Sequence, residues 1–382
     1  MPPRHYWRLP SVDLFSRGPL SNAGEDFAQL RAQWTNPTDV LTILTNALAQ
    51  LCSSHPRYFT PVALSFGWVA YAFSAILSAI GSRRLTPDPE IACTLIDVGS
   101  NYSRDVHSWV LSRLVRDYEL PAGISRGLTV SFYRTLRNKA MGVPDRDWVY
   151  WSGVIVIVLQ LGIATIPGVL NGDWVIFILT FGGIVLIQLQ ASLPQWRKEL
   201  WAGRKIKEKK HAVVCLTRGN GSLYAMVIRS DGCGISMADM ASGWEVKDRT
   251  TIPGTLILAI LWLIHLFCTS GLQNDSWYSL LIGAIGMLQN ALASGARRSP
   301  GALGIHLEEK VKHIHKEKVF EALVEAEKEE ENVGILLTDV YFPGGLRPEE
   351  ETWKKRKIAE SAGGAGILDN EGVSSNPISE QN

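Results

Sequence analysis

The chain has 382 residues, a formal net charge of +1 and 46% hydrophobic residues, averages that describe one large or two ordinary soluble domains. It has no phosphate-cradling glycine loop, zinc-ligand spacing or nucleic-acid signature, which excludes the readings those motifs would carry. The averages conceal the distribution: apolar residues fall in charge-free runs of about twenty, enough at 1.5 Å per residue to cross a hydrocarbon core of about 30 Å.

The opening residues, MPPRHYWRLPSVDLFSRGPL, lack a short apolar region with a small-residue cleavage site, so insertion is expected to rely on an internal helix. Within segment 1–59, the apolar stretch 40–52 includes Asn46 and Gln50. It is too short to span alone and is expected as a core-packed or interfacial helix. The run 60–80, TPVALSFGWVAYAFSAILSAI, carries no charge and is followed by Arg83 and Arg84, which predicts a first transmembrane helix. Ala70, Ser74 and Ser78, spaced by four, would let another helix of the same chain or of a second copy approach closely.

In the loop 81–147, segments 91–98 and 128–135 are β-like. Between them, 103–119 places Val106, Trp109, Val110, Leu114 and Val115 on a helical stripe, with Arg104, Asp105, Arg113 and Asp117 opposite and Asn101 or Ser103 as cap. Packing against the strands is favoured over lying on headgroups, because few arginines flank the apolar face. Gly123-Ile124-Ser125-Arg126-Gly127 fits the GxSxG pattern, but a nucleophile elbow needs a strand before it and a helix after it; a plain glycine-rich loop is the better reading.

Spans are predicted at 148–170, 174–193, 252–272 and 277–293, paired into two hairpins around Asn171-Gly172-Asp173 and Gln273-Asn274-Asp275. Trp148, Tyr150, Trp151, Trp174, Trp196, Trp201 and Trp277 cluster near their ends, as interfacial aromatics do. Inside the spans the strongly polar residues are Gln160, Gln188, Gln190, Gln289, Asn290 and His265. They are expected as interhelical hydrogen-bond partners. The absence of Asp, Glu, Lys and Arg there counts against a proton-coupled carrier.

The loop 194–251 begins with Arg197, Lys198, Arg204, Lys205, Lys207, Lys209 and Lys210, a run with a topogenic or anionic-lipid role. It continues with HAVVCLT and LYAMVIR around an Asn-Gly step, which predicts a β-hairpin over 211–229. Two strands alone are barely stable, so 91–98 and 128–135 are expected to join them in a small sheet. The tail 294–357 is expected to hold a segment 304–315 ambiguous between strand and helix, then a charged helix over 316–331. His313 and His315 share a face only if their segment is a strand, and with no third ligand nearby they read as solvated histidines. The stretch 358–382, rich in Gly, Ser and Asn, is expected to be disordered.

Both long loops are basic while the two turns carry Asp173 and Asp275, so the positive-inside rule sets the loops and tail in the cytoplasm and leaves the side of the N-terminus open. The motifs at Asn101 and Asn220 then lie on the wrong side for glycosylation, and that at Asn274 is squeezed against the bilayer. The five cysteines, Cys52, Cys93, Cys215, Cys233 and Cys268, have no paired spacing and suit a reducing compartment.

The phrases LFSRGPLSNAGEDFAQLRAQWTNPTDVL, VPDRDWVYWSG, LGIATIPGVLNGDWVIFILT, LPQWRKELWA and LTRGNGSLYAMVI resemble a family of uncharacterised multi-pass integral membrane proteins of filamentous ascomycete fungi, over about 14–342. That resemblance implies membrane residence and transfers no catalytic, cofactor-binding or metal residue. The expected architecture is an α-helical polytopic membrane protein with five transmembrane helices, a sixth short apolar helix at 40–52 left open, and a small cytoplasmic α+β module. Its expected partners are the lipid bilayer, a protein bound through the cytoplasmic loops, and a second copy of itself, with no nucleic acid and no cofactor. Three functions stand: a membrane-anchored scaffold or regulatory protein, an oligomeric channel or transporter for ions or uncharged solutes, and an interfacial lipid-acting enzyme. The plasma membrane is one residence consistent with these.

Overall fold

The computed structural model describes residues 43–49, 59–81, 84–118, 126–207, 210–244, 250–272, 275–308 and 312–368. After a short helical segment at 43–49, the helices in chain order are α1 (Trp68–Ile80), α2 (Trp109–Asp117), α3 (Trp148–Asn171), α4 (Val175–Ala191) and α5 (Pro194–Leu200). They continue with α6 (Met237–Ala241), α7 (Thr251–Ser270), α8 (Ser276–Gly295), α9 (Val319–Glu329), α10 (Val333–Tyr341) and α11 (Pro348–Leu368). The strands are β1 (Thr94–Asp97), β2 (Tyr102–Asp105), β3 (Leu128–Arg134), β4 (His211–Thr217), β5 (Tyr224–Asp231) and β6 (Lys312–Lys316).

Five spans are not what the fold holds. Among the described residues two helices, α3 and α7, are long and apolar enough to cross a membrane, or three if α4 and α5, bent by 46° at their break, form one span. The run 60–80 yields only the 13-residue α1, because its first third is not helical and Gly67 takes a left-handed conformation just before the helix. Helix α8 has 20 residues, but Gln289, Asn290 and its serines and glycines dilute its apolar character below that of α3 and α7. All five apolar helices nonetheless turn large side chains outward: Leu77, Val169, Ile178, Phe267 and Leu288 are 72%, 74%, 64%, 71% and 72% exposed. Such a belt would be a severe liability in water and is ordinary against hydrocarbon.

The first predicted hairpin is present: α3 ends on left-handed Gly172, whose N–H returns to the Gly168 carbonyl, and α4 packs back along it. The second is splayed, with α7 packed chiefly on α1 and α4 while α8 packs on α3. The two turns meet, because the Asn171 side-chain amide donates to Asp275 at 3.0 Å. The short helical segment 43–49 buries Leu44, Ala47, Leu48 and Ala49 completely, the core-packed alternative for that stretch.

The sheet is six-stranded, in the order β2-β1-β4-β5-β3-β6. The predicted β4–β5 hairpin is antiparallel, with Val214 opposite Ile228 and Cys215 opposite Val227. The expected partner segments flank it: β1 pairs antiparallel with β4 and β3 pairs parallel with β5. The amphipathic stretch 103–119 divides differently from its expectation. Tyr102–Asp105 becomes edge strand β2, and the helix begins only at Trp109 after Ser108. Its apolar stripe packs inward, and Arg113, expected on the polar face, is 0% exposed. Segment 312–316 resolves to a strand. Helix α11 runs on through Leu368, beyond the point where composition predicts loss of order; 369–382 lie outside the described residues.

Alternating side chains serve the two faces of the sheet. Ile96, Leu128, Val130, Val213, Cys215, Ala225 and Val227 pack against Ala322, Leu323 and Ala326 of α9 and Val333, Leu337 and Tyr341 of α10. The opposite face sends Leu95, Val214, Leu216, Met226 and Ile228 into a core shared with α2 and with Trp68, Tyr71, Ile187 and Trp262 of the bundle. Sheet and bundle therefore have one continuous interior.

Candidate functional site

Residues 59–67 form neither helix nor strand, yet Val62 and Ala63 are fully buried and Thr60 and Ser65 nearly so. Irregular backbone at such depth must have its polar groups satisfied by protein. Side-chain amides do this. Gln160 of α3 accepts from the Leu64 N–H at 3.2 Å and donates to the Leu64 carbonyl at 2.6 Å. Gln188 of α4 treats Thr60 the same way, at 3.0 and 2.7 Å. Asn290 of α8 donates to the Ala63 carbonyl at 3.0 Å and to Ser65 Oγ at 2.9 Å. A primary amide carries both a donor and an acceptor, so one side chain can replace a neighbouring strand's peptide group. Close approach makes this reach possible: a Cβ on Gly286 would stand 1.8 Å from the Leu64 carbonyl oxygen.

Beside this clamped segment lies a cavity of about 560 Å³, lined by Leu64–Val69, by Leu179 and Thr180 of α4, and by facing residues of α7 and α8. It occupies the gap left where those two helices splay. Its walls are chiefly aromatic and aliphatic, with Trp68 stacked on Trp262 at 6.0 Å, interspersed with the hydroxyls of Ser65, Thr180, Thr269, Ser270, Ser276 and Ser279. The strongest polar group is His265, whose Nε2 lies 2.9 Å from the Leu179 carbonyl. A carbonyl only accepts, so Nε2 carries the hydrogen, and in the neutral tautomer this leaves Nδ1 as an acceptor.

A second polar centre joins bundle to sheet. The fully buried Arg113 pairs with Glu90 at 2.6 Å and Asp117 at 3.0 Å and donates to the Ser294 and Ala296 carbonyls at 2.9 and 2.6 Å. Arg116 reaches the Gly295 carbonyl at 3.2 Å. Helix ends leave their last carbonyls without partners, and here two arginines of α2 cap the end of α8. Burial pulls the Arg113 guanidinium below its ordinary value, with Glu90 and Asp117 opposing that shift. A cleft of about 390 Å³ opens beside this junction, bordered by Asp117, Tyr118, Tyr133 and Arg298. Tyr118 is within 2.5 Å of Ser131 Oγ, itself 2.8 Å from His313 Nδ1. Burial raises both tyrosines, so they stay protonated and act as hydroxyls rather than bases. Ser131 is 0% exposed, which keeps it from serving as a nucleophile.

The remaining sequence candidates take structural places. His313 and His315 lie on one face of β6 and are spent on Ser131 and Thr129, at 2.8 and 3.1 Å. Among the described residues no group of three or more His, Cys, Asp or Glu could hold a metal. Gly123, Ile124 and Ser125 lie outside the described residues, and the next element in the chain is strand β3 rather than a helix. Gln289 bonds Ser152 across α8 and α3 at 2.9 Å, as expected of an interhelical partner. Gln160 is also an interhelical partner, donating to the Ile282 carbonyl of α8 at 2.9 Å, but together with Gln188 and Asn290 it holds the backbone of 59–67, a role that no spacing in the sequence announces. On α1 the buried face is Trp68, Tyr71, Ala72, Ala75 and Ala79, not the Ala70, Ser74 and Ser78 stripe.

No family model, curated protein or solved structure matches this chain.

Proposed function

We propose that this protein is a membrane-anchored scaffold or regulatory protein that crosses the bilayer more than once and presents its α+β module to a protein partner on the cytoplasmic side. The observation that carries this reading is the continuous core of bundle and sheet, which couples the module to the membrane without a flexible tether. Three separate chain segments, one before α3, one between α5 and α7 and one after α8, contribute strands to the one sheet. To join one sheet they must share a side, so α3 with α4 and α7 with α8 each return the chain to the side it left, and the segments include the basic loops that the positive-inside rule assigns to the cytoplasm. The phrases resembling a fungal multi-pass family favour the membrane part of this reading, and residence in the plasma membrane and self-association belong to the proposal.

A solute pathway is less favoured, because Gln160 and Gln188, two of its polar pointers beside His265, are taken up by residues 59–67. The test is affinity capture of the full-length chain from detergent-solubilised membranes, with single cysteines at Ser222 and Asp275 labelled before and after permeabilisation. A reproducible partner, with Ser222 labelled only after permeabilisation and Asp275 labelled from outside, is the expected result. Ser222 labelled in intact cells, or no partner lost when the β4–β5 surface is substituted, would sink it.

A further inference from the structure

We infer that the cavity between α7 and α8 is a binding site for a sterol, a rigid neutral lipid with one hydroxyl, entering sideways from the bilayer. The inference rests on the membrane reading above and adds a ligand to it. A volume of about 560 Å³ falls within the roughly 300–1,000 Å³ typical of small-molecule sites. The described residues that line it include no Asp, Glu, Lys or Arg, so a phosphate headgroup or a fatty-acid carboxylate would be buried there without a counter-charge. The rim includes exposed Leu266, Trp277 and Leu280, continuous with the outward apolar belt, so the mouth opens where lipid lies rather than water.

Two features narrow the ligand further. Phe66, Trp68 and Trp262 give the cavity broad, stiff walls that suit a flat, inflexible body better than two mobile acyl chains. His265 is the strongest hydrogen-bonding side chain in the lining, and with its Nε2–H committed to Leu179 it offers an acceptor. A hydroxyl donor complements that; an ester carbonyl does not. The splay of α7 and α8 is what makes room, since hydrophobic helices joined by a short turn would otherwise close on each other.

The full-length protein, reconstituted in phosphatidylcholine nanodiscs, is labelled with a diazirine-bearing sterol and, separately, a diazirine-bearing diacylglycerol. Saturable sterol labelling mapped to 262–283 and competed by unlabelled sterol is expected. It should fall about tenfold when Ser279→Trp or, from the facing wall, Thr269→Phe fills the cavity, in whichever variant remains monodisperse. His265→Phe should weaken competition by the hydroxylated sterol more than by its methyl ether. Labelling spread evenly over the outer faces of α3 and α4, or unchanged by the filling variants, overturns the site. Equal labelling by diacylglycerol overturns the sterol assignment. Alkaline extraction of the protein from native membranes without detergent would instead overturn the bilayer reading itself, whatever the labelling shows.

Discussion

Two stretches of non-helical backbone, the β4–β5 hairpin and residues 59–67, face the same requirement and meet it by opposite means. The hairpin pairs N–H to C=O along its own ladder and extends it through β1 and β3. The segment at 59–67 has no ladder and borrows peptide-like groups from Gln160, Gln188 and Asn290 on three helices. The first arrangement distributes its hydrogen bonds over many residues, so loss of any one is shared. The second concentrates them in a few side chains, so each carries more.

The sharpest way to break that contrast is Gly286→Ala, whose new methyl would collide with the Leu64 carbonyl. It should destabilise the detergent-solubilised protein by about 3 kcal/mol or more, read as a lowered unfolding midpoint with the hairpin sequence untouched. Next, Gln160→Leu keeps the volume but orphans the buried N–H and C=O of Leu64, an effect of about 2–3 kcal/mol. A loss for Gln160→Leu no greater than for an exposed position such as Leu288→Ala would show that the segment does not depend on its clamp.

Smaller effects are expected from the module. Gly221, in the β4–β5 turn at φ 86°, should lose roughly 1–2 kcal/mol on replacement by Ala, the strain of a left-handed residue with a side chain. Glu327 sits behind the start of α10, accepting from the Asn332 and Ile335 amides at 2.8 and 3.1 Å. Burial nevertheless raises its carboxyl above the ordinary value of 4.5. The folded state thus holds its proton more tightly, and the stability this gives is present below pH 4.5 and is lost as pH rises through the folded value. Hydrogen-exchange protection in α9 and α10, taken relative to the intrinsic rate at each pH, should therefore fall over that rise, and Glu327→Gln should flatten the dependence.

The contrast also separates what is legible in the sequence from what is not. The hairpin announces itself locally, through alternating apolar residues and Asn220-Gly221, and its partner segments carry the same β-rich pattern. The clamp has no local sign, because Gln160, Gln188 and Asn290 lie 96, 128 and 227 residues from the groups they hold. A charge-free run such as 60–80 reads as a continuous helix, whereas hydropathy reports only what a segment is dissolved in, not whether its backbone is coiled. Strand β2 is hidden for a related reason: Tyr102, Ser103, Arg104 and Asp105 form an exposed edge with no apolar alternation to betray it. The inward packing of the 103–119 stripe is legible from its periodicity, while the burial of Arg113 depends on the carbonyls ending α8, a structure no single segment encodes.

The order of strands across the sheet has a consequence for how the protein is made. Strands β1 and β3 leave the ribosome long before β4 and β5, the central pair on which both must dock, and β6 arrives only after α8. The early strands must wait with open edges while the intervening apolar helices are synthesised and settled. Assembly of the module is thus a late event that reports on the success of everything before it, and a defect in the bundle should surface first as a module that quality control finds unfinished.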